Sequence, residues 1–278
     1  MTAAIPVDRK FNVVFTFIAV LLFMVDMGNP VYYWGIIGGL FLSFLFSLAA
    51  FLLQRLSLDG MFAAMVAGTL IFGLGGWPMA AIILLFFISS AVISTPQDEG
   101  RPPREDSGDV RRSGIQVWAN GFWMVVSLVM TAVFDSSVFL LGGVTAVAVA
   151  TADTWATELR SRKEGATRLI TTFEQVSSGA DGGISLKGTA WASAGSMLIA
   201  AASTYFFSLT FGSFFIIFTA GFLGCVLDSY LGAIFQRDNR PIVIPLIQKE
   251  ITFDNNLVNA VSTGAGAFLA IILRISTI

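Results

Sequence analysis

Of 278 residues, 55% are hydrophobic and only 12% charged, and mean hydropathy is +0.79; a soluble domain carries about 25% charged residues, so that class is excluded. The net charge of −2 decides nothing about nucleic acid, and no nucleic-acid partner is expected. The chain has no His and a single Cys, Cys225, which excludes Ser-His-Asp triads, Cys-His pairs, His-ligated zinc and an internal disulfide.

Polar breaks divide the chain into nine apolar stretches, at 11–27, 31–53, 58–75, 77–95, 115–134, 137–158, 187–209, 211–236 and 256–275. Runs of ~20 residues match the ~30 Å hydrocarbon core of a bilayer at 1.5 Å per residue. The first run, Phe11–Met27, lacks a small-residue cleavage site and is expected to stay as a helix rather than leave as a signal peptide. Between the third and fourth runs, Gly75-Gly76-Trp77-Pro78 is either a turn or a kink. Gln97–Val110 is Pro-rich and acidic, with Glu105, Asp106 and Asp109, and is expected to be a solvated loop. Cys225 lies inside an apolar run and is expected to pack as a small residue.

The linkers alternate. Those near 28–30, 76, 135–136 and 210 are short, whereas 54–57, 96–114, 159–186 and 237–255 carry most of the charge. With nine spans and a cytoplasmic N-terminus, 15 of the 16 Lys and Arg residues fall on the cytoplasmic side, and only Arg274 falls outside. That split obeys the positive-inside rule. The expected fold is therefore all-α: a polytopic transmembrane helix bundle of about nine spans, N-terminus cytoplasmic, forming one integral membrane domain over 1–278. It would sit in the cell membrane if the chain is prokaryotic.

An ionisable residue inside a span costs ~2.5–3.5 kcal/mol on insertion scales and by default faces a bundle interior or cavity. Asp153 lies five residues from the end of its span, about 8 Å deep, and Asp228 eight residues from its end, about 12 Å deep. Asn120 and Asn259 sit early in spans that enter from the same side, and Asp59 opens another. Gly224, Asp228, Gly232 and Gln236 recur every four residues, a stripe that permits close helix approach or leaves room for a ligand. Glu158 is five residues beyond Asp153, so the two diverge by ~140° on an ideal helix and need not share one ion. Asn255 and Asn256 open the last span and are either helix caps or ligand contacts.

The connecting loops suit phosphate. Gly179-Ala180-Asp181-Gly182-Gly183 feeds a span, with Ser185 and Lys187 following, and a Gly-rich turn at a helix start presents backbone N–H groups to an anion. The spacing is not that of a P-loop. Arg111, Arg112 and Gln116 precede Asn120, and Arg168 precedes the Gly-rich loop. Carboxylates interleaved with Arg, Lys and glycine loops point to Mg²⁺ and phosphate.

These pieces together resemble one family. They are Leu56-Ser57-Leu58-Asp59-Gly60; Arg112 with Gln116-Val117-Trp118-Ala119-Asn120-Gly121; Ala152-Asp153-Thr154-Trp155-Ala156-Thr157-Glu158; Arg168-Leu169-Ile170-Thr171-Thr172; Gly179 to Leu186; Gly221 to Gln236; and Asn256 to Asn259. Their order over about 55–270 resembles the phytyl-phosphate kinases of the plant vitamin E pathway and the related animal transmembrane protein 19. The resemblance implies a multi-pass enzyme that transfers phosphate from a nucleoside triphosphate, CTP in the plant case or else ATP, to an isoprenoid monophosphate.

It further implies Asp153, Asp228 and Glu158 as catalytic, Mg²⁺-holding carboxylates. Phosphate and substrate contacts would come from Arg112, Gln116, Asn120, Arg168, Gly179, Gly182, Gly183, Lys187, Asn256 and Asn259. The isoprenoid tail would lie between spans, in contact with membrane lipid. Two departures stand out: Arg160 where the family has Gly, and Ala180-Asp181 inside the Gly-rich loop. A transporter would place polar residues at the midplane or both faces. A CDP-alcohol phosphotransferase would continue the carboxylates after Asp59-Gly60, which this chain does not. A non-catalytic membrane scaffold is the third alternative.

Overall fold

The computed structural model describes residues 6–25, 30–93, 111–160, 166–237, 241–244 and 249–277. The acidic loop at 97–110, with its Arg101 and Arg104, and the basic residues Arg162, Lys163 and Arg240 lie outside them. The chain is a helical bundle of α1 (Val7–Val25), α2 (Pro30–Leu52), α3 (Leu58–Ile93), α4 (Gly114–Phe134), α5 (Ser137–Glu158), α6 (Leu186–Phe206), α7 (Phe211–Leu231) and α8 (Asn255–Ile275). A π-helical turn, Gly232–Gln236, continues α7. Two antiparallel ribbons in the connections were not expected from the sequence: β1 (Arg168–Leu169) with β2 (Gly183–Ile184), and β3 (Pro241–Ile244) with β4 (Lys249–Thr252).

Among the described residues, six helices are long and apolar enough to cross a membrane: α2, α3, α4, α5, α7 with its π-helical turn, and α8. Of the other two, α1 carries Asp8, Arg9 and Lys10 in its first turn, and α6 is rich in Gly, Ala, Ser and Thr.

α5 is the central helix, and every residue from Leu141 to Ala152 is buried. Small residues let its neighbours approach. A Cβ on Gly195 of α6 would meet the Thr151 carbonyl at 3.1 Å, and one on Gly221 of α7 would meet Ala148 Cβ at 2.7 Å. Gly224 of α7 and Gly266 of α8 both pack against the Val149 side chain. Lipid offers no hydrophobic drive between helices, so such van der Waals contact is what holds them. α2 packs on the first half of α3 in the same way, Gly35 on Gly73 and Gly39 on Thr69, with Ser43 Oγ 3.1 Å from Thr69 Oγ1.

α3 is broken. Gly76 has φ 62° and ψ −165°, values outside the helical region, and Pro78 has no N–H to continue the ladder. The Ser57 N–H donates to the Arg112 carbonyl at 3.1 Å, while the Arg112 guanidinium lies 5.6 Å from the Phe86 ring centre. On a straight helix Ser57 and Phe86 would be about 43 Å apart. Both arms of α3 therefore reach the same end of the bundle, near Arg112.

That end is polar. The opposite end is aromatic: Trp77 meets Phe206 at 5.3 Å, Phe134 meets Phe139 at 5.6 Å, and Phe211 meets Phe215 at 4.8 Å.

Candidate active site at the polar end of the bundle

The start of α4 is fastened to α3. Asp59, in the first turn of α3, accepts from the Gly114 N–H at 2.7 Å and from Ser57 Oγ at 2.6 Å. A carboxylate on the first N–H groups of a helix satisfies donors that have no partner within it. Gly60 has no room for a side chain, because a Cβ there would lie 2.3 Å from the Arg112 carbonyl. Gln116 Oε1 accepts from the Ser113 N–H at 2.9 Å, one arm of a capping box. Asn120 Nδ2 donates to the Gln116 carbonyl at 3.0 Å, one turn back on its own helix.

Arg112 faces α5. Its guanidinium lies over Phe86 and Phe87, 5.6 and 5.9 Å from the ring centres, and its charge interacts with Glu158 at the end of α5. Burial pulls the Arg112 guanidinium below its usual range; Glu158 pulls it back up, and Arg55 adds to the lowering. Arginine stays protonated throughout. Glu158 therefore turns toward α3 and α4.

Asp153 turns the other way, toward α7. It lies close enough to Asp228 for the two carboxylates to repel, and Asp181 from the Gly-rich loop adds to the same field. Asp228 is held from α8. Ser262 Oγ donates to Asp228 Oδ2 at 2.7 Å. With the Asn259 amide oriented so that its nitrogen meets acceptors, Nδ2 donates to the same Oδ2 at 3.1 Å and to the Asn255 carbonyl at 3.2 Å. Thr263 Oγ1 donates to the Asn259 carbonyl at 2.6 Å. α8 is fixed to α4 in turn, since Trp123 Nε1 donates to the Ala260 carbonyl at 2.7 Å. Cys225, one turn before Asp228, packs with Ala152 and Ala192 as a small buried residue.

The Gly-rich loop seats on the π-helical turn. In that turn the Arg237 N–H reaches back to the Gly232 carbonyl at 3.1 Å, the i to i+5 pattern that recurs at functional sites. Gly182 has φ +73°, and a Cβ there would lie 2.3 Å from Ala233 Cβ, so loop backbone and helix meet directly. Gly179 has φ +99° and lies under the Arg160 guanidinium, 2.6 Å from Nη2 to an ideal Cβ. Loop hydrogen bonds run Ile170 N to Gly182 O and Gly183 N to Ala180 O, at 3.0 and 2.9 Å. Arg168 Nη1 donates to the Phe173 carbonyl at 2.8 Å, closing its own turn. Ser185 caps α6 by accepting from the Gly188 N–H at 3.1 Å, which leaves Lys187 exposed in the first turn. Beside this loop the Thr167 hydroxyl is buried, with no hydrogen-bond partner among the described residues.

The structure thus gathers Asp153, Asp228, Asn259 and Gly182 at one place, the junction of α5, α7, α8 and the Gly-rich loop, with Gly183 packed inside its own loop against Thr167 and Val176. Glu158 lies within electrostatic reach of Arg112. Gln116, Asn120 and Arg168 spend their hydrogen bonds locally, and Asn256 Nδ2 donates at 3.2 Å to Asp254, the cap of α8. Ser262 belongs to the site with Asn259, and its spacing of three from Asn259 puts both polar residues of the last span on one helix face. Ser113-x-x-Gln116 is a capping signature that could be read directly.

The donor chemistry suits Mg²⁺. That ion takes oxygen ligands and is usually held by one or two carboxylates together with substrate phosphates and water. Asp153 and Asp228 supply such oxygens from two helices. Among the described residues no three His, Cys, Asp or Glu side chains are gathered as a metal site, so the set fits an ion that arrives with phosphate, not a protein-only cage.

The chain is similar to an uncharacterized membrane protein of Methanocaldococcus jannaschii, 28% identical over 218 residues, which span 77% of this chain and 84% of that one. It is also similar to an uncharacterized membrane protein of Synechocystis sp., 29% identical over 239 residues, 82% of this chain and 87% of that one. No solved structure matches it. Residues 41–267 match the integral membrane protein family DUF92, and the chain belongs to that family of membrane proteins.

Proposed function

We propose that this protein is a membrane-embedded kinase that transfers the terminal phosphate of CTP or ATP to an isoprenoid monophosphate, giving the diphosphate at the cytoplasmic face. The observation that carries the reading is the meeting of Asp153 and Asp228 from two helices, beneath a Gly-rich loop seated on a π-helical turn. Two like charges at shallow depth in a membrane protein need a compensating partner, and phosphate with its cation supplies one.

The transfer forms a bond between an acceptor phosphate oxygen and the γ-phosphorus, and breaks the bond from that phosphorus to the β-bridging oxygen. The nucleoside diphosphate leaves. The attacking oxygen is already ionised, so no general base is needed, and a chain without His lacks nothing for this step. Mg²⁺, when bound at Asp153 and Asp228, supplies neutralisation of phosphate charge. Asn259 and Ser262 hold Asp228, the Gly-rich loop lies over the π-helical turn, and exposed Lys187 and Arg168 stand where an anionic headgroup enters. The Arg112–Glu158 pair joins the ends of α3, α4 and α5 beside this centre.

Nine crossings with a cytoplasmic N-terminus belong to the same proposal. The fold-back of α3 at Gly76 supports them, as does the 15-to-1 division of basic residues. Single Cys labels at 159, 177 and 237 should then react from the cytoplasmic side alone. Purified protein in detergent should convert a phytyl, farnesyl or longer monophosphate to its diphosphate. Vectorial uptake in sealed liposomes, with no diphosphate formed from any of these acceptors and either nucleotide, would replace the kinase by a transporter.

A further inference from the structure

Asp228 is held by α8 through one oxygen only. Ser262 Oγ at 2.7 Å and Asn259 Nδ2 at 3.1 Å both donate to Oδ2. The two donors are almost wholly enclosed: Ser262 is 1% exposed and Asn259 9%. Asn259 is itself fixed, its amide donating to the Asn255 carbonyl at 3.2 Å and its own carbonyl accepting from Thr263 Oγ1 at 2.6 Å, while Ser262 Oγ also lies 3.2 Å from that carbonyl. Farther along, Trp123 Nε1 pins α8 at the Ala260 carbonyl. A carboxylate that accepts two donors on one oxygen is oriented by them, and its other oxygen is the one available to a cation.

We propose that Ser262 and Asn259 are positioning residues, which orient Asp228 so that Oδ1 ligates the divalent cation; this rests on the kinase reading above. Neither side chain needs to touch the substrate. Their contribution reaches the ion through Asp228, as hydrogen bonds to a ligating carboxylate do in metal sites generally, where losing one weakens binding by about 10–100-fold. Ser262 is the more telling of the two, since a hydroxyl can be removed with Ala or kept with Thr.

The test measures Mn²⁺ binding to the purified full-length chain in detergent by electron paramagnetic resonance, with and without CTP, beside thermal unfolding of every variant. Ser262→Ala should weaken Mn²⁺ binding at least tenfold, as lost outer partners do, while Ser262→Thr restores it to near the native value. Asn259→Ala should shift binding in the same direction, and carries the test if Ser262→Ala does not fold. Asp228→Asn should abolish binding. If Ser262→Ala and Asn259→Ala bind Mn²⁺ as tightly as the native chain while Asp228→Asn does not, the positioning role is wrong and the metal site stands. Loss of binding in Ser262→Thr equal to that in Ser262→Ala also overturns the positioning role. If the native chain binds no Mn²⁺ even with CTP, or Asp228→Asn binds it normally, the kinase reading fails first.

Discussion

The two ends of the bundle turn the chain by different means. At the aromatic end the turns are short and use backbone geometry: Gly76 at φ 62°, Asp135 at φ 47° and Ser208 at φ 50°. Their surroundings are rings, with Trp77 on Phe206 and Phe211 on Phe215. At the polar end positive φ recurs, at Gln54, Phe173, Gly179 and Gly182, and contacts between elements distant in sequence are added. Asp59 holds the start of α4, Gly182 meets Ala233, and Ser262 and Asn259 hold Asp228. An aromatic end needs only to close hairpins at an interface that rings tolerate. An end where polar groups converge must satisfy every one of them, and that requirement fixes their positions closely enough for chemistry.

The comparison predicts unequal responses to substitution. The largest belongs to the facing carboxylates: Asp153→Asn and Asp228→Asn should each lower phosphate transfer by at least about 100-fold with the fold intact, since each removes a ligand charge and keeps the shape. Native-like turnover in either variant at saturating Mg²⁺ would make that residue a packing feature. Gly182→Ala comes next. The positive φ and the contact with Ala233 leave no space for a methyl group, so thermal unfolding should show a loss of about 1–3 kcal/mol together with lower transfer. An unchanged melting curve would mean that the loop does not sit on the π-helical turn.

Glu158→Gln sharpens the division between neighbouring carboxylates. It should reduce stability by roughly 1–3 kcal/mol by leaving Arg112 without its counter-charge, while Mn²⁺ binding stays within about threefold. Abolished Mn²⁺ binding would return Glu158 to the ligand set. At the aromatic end, Trp77→Ala should cost only about 0.5–1.5 kcal/mol beyond lost area and leave transfer unchanged. A drop in transfer equal to that of Gly182→Ala would erase the distinction between the two ends.

Much of the bundle is visible in the sequence because hydropathy is a local property. The helices fall within a few residues of the apolar runs, α4 and α5 most closely, apart from α1, which starts at Val7 directly after Pro6. The break at Gly76 is legible as Gly-Gly-Trp-Pro, though whether it kinks or folds back depends on where the arms end. What spacing does not carry is the partner. The every-fourth-residue stripe on α7 divides in three dimensions: Gly224 packs on Val149 of α5, Asp228 bonds α8, and Gly232 sits under Gly182 of the loop.

The π-helical turn at Gly232–Gln236 also shifts the phase of the stripe, which an ideal 3.6-residue count misses. Asp59 looks from sequence like a member of the polar layer, and its carboxylate instead caps a helix that begins 55 residues later. Asp153 and Glu158 are the favourable case. Their angular divergence follows from helical geometry alone, and they do face different partners.

The most direct measurement of the central claim incubates the purified chain, in detergent with Mg²⁺, with phytyl monophosphate and CTP or ATP, and quantifies both products by mass spectrometry. The kinase reading predicts phytyl diphosphate and nucleoside diphosphate in one-to-one amounts from the native chain, and neither above background from Asp228→Asn prepared alongside. Nucleoside diphosphate without isoprenoid diphosphate, or no product from phytyl, farnesyl or longer acceptors with either nucleotide, would contradict it.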